Sequence, residues 1–81
     1  MSDPLTEFIE SHAPQLQTAV NDDTELLEQG LLDSLLLMHL MAFLERRHGI
    51  EIPDEEVVPE NFATLRRIRA LVARIEAQRA P

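Results

Sequence analysis

The sequence predicts an all-α fold, three main helices plus one or two short ones in a bundle, forming a single domain over residues 1–81. Three observations carry that expectation. Apolar residues recur at helical spacing in two long stretches, Leu37, Leu40, Met41 and Leu44 in one, Leu65, Ile68, Leu71, Val72 and Ile75 in the other. A capping residue precedes each stretch, Asp33 and Thr64, and a third, Asp3, precedes a proline. The extended piece between them, Ile50-Glu51-Ile52-Pro53, is only long enough to turn the chain.

Taken in order, Asp3 caps and Pro4 suits the first helical position, and Leu5, Phe8, Ile9 and His12 follow at helical spacing. Pro14 ends the pattern, so the first helix spans about Pro4–His12. Residues 14–33 form a long connection with some order of its own. Leu16 and Val20 can pack inward, Thr24-Glu25-Leu26-Leu27 reads as a capped single turn, and Gly30 releases the chain from it. Asp33 then caps the clearest helix, Ser34 to His48, with Gly49 just past its end. Asp54-Glu55-Glu56 caps a further turn leading through Val57 and Val58, and Pro59 begins a short helical piece through Phe62. Thr64 caps the last helix, and Arg66, Arg67, Arg69, Arg74 and Arg79 lie largely off its apolar stripe.

Composition narrows the function. Without cysteine the chain has neither disulfides nor thiolate metal ligands, so a small core must rely on helix packing. No segment has the roughly 20 apolar residues of a membrane helix. Met1-Ser2-Asp3-Pro4 has no signal-peptide character, which makes the cytoplasm the expected location. The formal charge is −8, and all 7 basic residues are arginines. Residues 1–45 hold nine of the carboxylates and neither Lys nor Arg. Such a half repels nucleic acid. It suits a partner with a basic docking surface, and it equally serves plain solubility.

Catalytic and metal-ligating constellations are missing from the pattern. Gly30 and Gly49 are too few for a phosphate loop, and His12, His39 and His48 lack ligand spacing. Asn21-Asp22-Asp23-Thr24-Glu25 lacks the alternating ligands and central glycine of a calcium loop. One spot remains, Gly30-Leu31-Leu32-Asp33-Ser34-Leu35, which sets a serine at the first position of a helix after a long loop. A helix N-terminus offers free N–H groups and partial positive charge, so a phosphodiester on that hydroxyl is favoured there. Read by itself, the Asp-Ser pair is also an ordinary helix cap.

The surrounding segments add a family resemblance. Leu31-Leu32-Asp33-Ser34-Leu35 resembles the phosphopantetheine attachment motif of acyl and peptidyl carrier proteins. Asp23 to Gly30 resembles the loop before that motif, and Phe43-Leu44-Glu45 through Gly49 to Glu56 resembles the end of the family's second helix and the next loop. Asn61-Phe62-Ala63-Thr64-Leu65 resembles the entry to its last helix. Together these cover nearly the whole chain, with helix I the weakest part.

The resemblance implies a carrier that catalyses nothing itself. A phosphopantetheinyl transferase would join 4'-phosphopantetheine from coenzyme A to Ser34, and an acyl- or aminoacyl-loading ligase or transferase would charge the arm's thiol as a thioester for downstream biosynthetic enzymes. Asp33 carries over as the acid before the serine and Leu35 as the apolar contact after it. Leu37, Met41 and Leu44 would line a chain-sheltering interior, or serve simply as core. The second helix departs from carriers of primary fatty-acid synthesis, where acids are usual: Leu36, His39, Arg46 and Arg47 stand instead, and only Asp33 and Glu45 remain acidic. That points to a dedicated or secondary-metabolite pathway, with docking mainly through Leu35, Leu36 and Met38 and with the two remaining acids, Asp33 and Glu45, as further docking contacts. Leu36 reads alternatively as a tolerated exposed leucine. A monomer is expected, and the chain from Met1 to just past the last helix reads as stand-alone. The competing reading is a non-covalent acidic helical interaction module, for which Ser34 would be dispensable.

Overall fold

In the computed structural model the described residues are 3–12, 20–27, 30 and 32–79. Among them the chain is helical and has no strand: α1 (Pro4–His12), α2 (Ser34–His48), α3 (Pro59–Phe62) and α4 (Leu65–Arg79), with a 3₁₀ turn at Asp54–Glu56. This is the expected all-α arrangement of three main helices and two short pieces. The predicted stop at Pro14 and the inward packing of Leu16 lie outside the described residues, as do Glu28, Gln29 and Leu31.

Each helix start has a physical cause. Asp3 caps α1: its Oδ1 accepts the N–H groups of Leu5 and Thr6, both at 3.1 Å, and its Oδ2 accepts the Thr6 hydroxyl at 2.9 Å. Asp33 caps α2 through Oδ1, which accepts the Leu36 N–H at 2.8 Å. Thr64 caps α4, its hydroxyl accepting the Arg67 N–H at 3.2 Å. At the other end of α2, Gly49 adopts φ 62°, a left-handed conformation that costs glycine little. Arg46, Arg47 and His48 occupy the last turn, where positive charge offsets the negative end of the helix.

The described part of the long connection, residues 20–27, 30 and 32–33, is held by backbone hydrogen bonds. The Leu26 N–H donates to Ala63 O at 2.8 Å, and the Arg66 N–H, one of the free donors of α4, donates to Asp22 O at 3.0 Å. Thr24 departs from expectation: its hydroxyl accepts the Asn21 N–H at 3.0 Å, closing the turn behind it instead of capping the one ahead. The next turn is closed by Gly30 N–H to Leu27 O at 3.1 Å, with Gly30 at φ 69°. Leu26 and Leu32 are buried, so this connection is fastened to the start of α4 just before it delivers Asp33.

The core is apolar throughout: among the described residues no polar or charged side chain is buried. Ile9, Leu26, Leu40, Leu44, Phe62, Leu65, Ile68 and Leu71 are its most enclosed members. Each such side chain contributes about 1.5–3 kcal/mol by leaving water. The α4 stripe is buried as its spacing predicts. On α2 the buried line differs: Leu36, Leu40 and Leu44 face inward at i, i+4, i+8, while Leu37 and Met41 are only half-buried against them.

Candidate functional site

Ser34 is the first residue of α2 and its side chain is exposed. Asp33 occupies two of the donors of this helix end, the Leu36 N–H through its carboxylate and the Leu37 N–H through its carbonyl at 2.8 Å. The N–H groups of Ser34 and Leu35 have no partner among the described residues. An exposed hydroxyl beside two N–H groups that have no partner among the described residues, at the positive end of a 15-residue helix, fits a phosphodiester. No pocket has to open for a modifying enzyme to reach it.

The residues expected around Ser34 separate into three groups. Leu35 and Met38 are 63% and 67% exposed, large apolar side chains left in water. At 3.6 residues per turn, Ser34, Leu35, Met38, Ala42, Glu45 and Arg46 share one face of α2, within an arc of about 120°. Leu36, expected beside them as an exposed docking leucine, is corrected by the structure: only 8% of it is accessible and it belongs to the core. The reason is the helical turn, which places residue 36 above Leu40 and Leu44 once Asp33 has set the start of the helix. The two acids are both in use locally. Asp33 caps the helix, and half-buried Glu45 accepts the Ile52 N–H through Oε2 at 2.8 Å, tying α2 to the loop that follows it.

Leu37, Met41 and Leu44 do not converge on one cavity. Leu37 lines an apolar groove of about 290 Å³ with Leu27, Leu32, Val57, Val58, Pro59 and Phe62. Leu44 lines a different depression, of about 260 Å³, among Asp3, Phe43, Arg47, His48, Arg69 and Glu76. Met41 packs half-buried against the core. The first groove is the one near Ser34, since Leu37 is only one turn along α2, about 4.5 Å of rise. Its other walls were not singled out by sequence spacing. The available signal was Val57-Val58-Pro59, three apolar residues in a connection too short to bury them all; Val58 stays 37% exposed.

The histidines are structural neighbours of α1. The His12 Nδ1–H donates to Phe8 O at 2.9 Å, and the His12 ring stacks on Phe8, which stacks on Phe43 with centroids 4.6 Å apart. His39 is tilted against His12 at 6.0 Å. Among the described residues no three His, Cys, Asp or Glu side chains are grouped to hold a metal, and no helix is long and apolar enough to cross a membrane.

This helical frame, with an exposed serine at the head of α2, fits a carrier of covalently tethered intermediates, and the comparisons with known proteins show that class. The chain belongs to the phosphopantetheine attachment site family, which it matches over residues 10–75. Its cofactor is accordingly covalent 4'-phosphopantetheine, and it is a carrier, not an enzyme. It is 31% identical over 72 residues to the probable acyl carrier protein PigG of Serratia sp. (strain ATCC 39006), covering 89% of this chain and 78% of that one. It is 38% identical over 48 residues to the D-alanyl carrier protein of Enterococcus faecalis (strain ATCC 700802 / V583), covering 59% and 62%. Similarity to the lincomycin biosynthesis protein LmbN of Streptomyces lincolnensis reaches 42% over 65 residues, 80% of this chain but 23% of that protein. Among solved structures, a chain in the crystal structure of an FAD-dependent dehydrogenase superposes with a TM-score of 0.76 at 32% identity, covering 84% of this chain and 97% of that one.

Proposed function

We propose that the phosphopantetheine arm is attached to the Ser34 hydroxyl and that the chain serves a dedicated biosynthetic pathway, not primary fatty-acid synthesis. One observation carries the assignment of the residue: Ser34 is exposed directly after the Asp33 cap, beside two backbone N–H groups with no partner among the described residues. When bound, the arm supplies a terminal thiol that holds the cargo as a thioester. The chain's own part is to present the hydroxyl, to offer the Ser34 and Leu35 N–H groups to the phosphate, and to keep the attachment point rigid through the Asp33 cap and the Leu26–Ala63 backbone bond. Leu35 and Met38 are the docking contacts for the transferase and the loading enzyme, and Asp33 marks the site electrostatically. The groove beside Leu37 gives an apolar cargo a place to rest. Its walls favour Leu37 over Met41 and Leu44 for that role.

Support for the pathway comes from the names of the relatives, among them a lincomycin biosynthesis protein and a D-alanyl carrier protein, and from an α2 face that is apolar where an acidic one would be expected. These names divide over cargo, acyl in one and aminoacyl in the other. The test is to isolate the protein from its host and fragment it by tandem mass spectrometry, which ejects the arm with whatever it carries. An aminoacyl or short modified acyl group on the Ser34 peptide is the expected result. A ladder of ordinary saturated fatty acyl chains overturns the pathway assignment.

A further inference from the structure

The arginines of α2 are placed differently from three of the arginines of α4. Arg66 holds Asp23, Arg69 holds Asp3 and Asp22, and Arg74 holds Glu56. Arg46 and Arg47 are exposed and make no ion pair or side-chain hydrogen bond among the described residues. With half-buried Phe43 they line a shallow notch of about 340 Å³. The nearest acid in sequence, Glu45, is turned away to the Ile52 N–H. Glu51, Asp54 and Glu55 are exposed in the following loop and pair with neither arginine. Arg46 also shares the face of Ser34, Leu35 and Met38, about 18 Å further along the helix.

Resting on the assignment of Ser34, we infer that this face docks a loading enzyme whose contact surface is apolar opposite Leu35 and Met38 and carries a carboxylate opposite Arg46. The polarity is the reverse of an acidic helix seeking a basic patch. The planar, two-pronged guanidinium of Arg46 matches a carboxylate in a way a hydrated ammonium does not. The net charge of −8 does not prevent this. At physiological salt, charges more than about 8 Å away are largely screened, so the partner feels the local arginines. Their position in the last turn also stabilises the helix end, but that effect needs only positive charge, without fork geometry.

The experiment uses the arm-bearing protein and the host extract fraction that converts the wild-type thiol to its thioester. Arg46→Glu should lower loading kcat/KM about tenfold, mainly through KM, and blunt its decline with added salt. Arg46→Lys should lose about two- to threefold, because charge is kept and the fork is lost. Arg67→Glu, an equal charge change at an exposed unpaired arginine of α4, should load as wild type. Intact mass should show the arm equally on every variant. Unchanged or faster loading of Arg46→Glu overturns the inference, as does an equal loss in Arg67→Glu. Failure of the Ser34 assignment reads out separately, as wild-type protein that acquires the arm elsewhere or not at all.

Discussion

Arg69 on α4 donates through Nη2 to Oδ2 of Asp3 at 2.8 Å, so the residue that caps α1 is also fastened to the last helix. The same guanidinium reaches Asp22 in the long connection through Nε at 3.2 Å. One side chain off the apolar stripe thus joins three segments of the fold. The Arg69 hydrogen bond, with smaller help from Thr6, holds the Asp3 carboxyl far below the usual carboxylate range despite an opposing desolvation cost.

Asp3→Asn should therefore lower stability by about 1 kcal/mol at neutral pH, a figure kept small because both side chains are roughly 40% exposed and water screens the pair. Asparagine still caps, so the loss reports the charge. A depressed folded-state pKa contributes stability that is present above the unfolded value near 3.9 and is lost as pH falls below it towards the folded value. Urea melts should show wild type and Asp3→Asn separated at pH 7, with the gap narrowing progressively as pH falls below about 4. A constant gap across that range would contradict the assignment.

Leu36 and Leu35 are neighbours with opposite fates, 8% and 63% exposed. Leu36→Ala should cost about 2–4 kcal/mol, the penalty for emptying a core site. Leu35→Ala and Met38→Ala should stay within about 0.5 kcal/mol. Denaturant midpoints compare them directly, and a tolerant Leu36 would return it to the surface.

Glu45 works as a tie between α2 and the following loop. Glu45→Ala should leave the Ile52 N–H without its acceptor and cost about 1–2 kcal/mol, while Glu45→Gln keeps an acceptor and loses less. Amide hydrogen exchange at Ile52 is the local readout. Unchanged protection in Glu45→Ala would show that the bond contributes little.

The groove of Leu27, Leu32, Leu37, Val57, Val58, Pro59 and Phe62 gives a prediction about cargo. Val58→Asp puts a charge at its exposed rim and should leave the fold and the arm intact. Hydrolysis of an attached apolar cargo should then quicken about threefold as water gains access. Equal hydrolysis rates would mean that the cargo stays outside.

Much of this fold was legible because local signals agreed with one another. Asp3-Pro4, Asp33, Thr64 and Gly49 mark helix ends by hydrogen-bond chemistry that acts within four residues, and the structure realises each. The α4 stripe was legible because arginines separate its apolar positions. On α2 the pattern was ambiguous: Leu35, Leu36, Leu37, Met38, Leu40 and Met41 are all apolar, so periodicity alone could not say which line faces inward. Arg69 with Asp3, 66 residues apart, left no local trace either. Within the candidate site, Ser34 and its cap were readable from sequence. The groove was not, because its walls come from three separated segments.

The most direct test of the account is an intact-mass measurement on wild type and Ser34→Ala after incubation with coenzyme A and a broad-specificity phosphopantetheinyl transferase. The Ser34 side chain is exposed and makes no hydrogen bond or ion pair among the described residues, so the alanine variant should remain helical by circular dichroism. The account predicts a gain of one phosphopantetheine in the wild type and none in Ser34→Ala. An equal gain in both, or no gain in folded wild type even with the transferase of its own host, would contradict it.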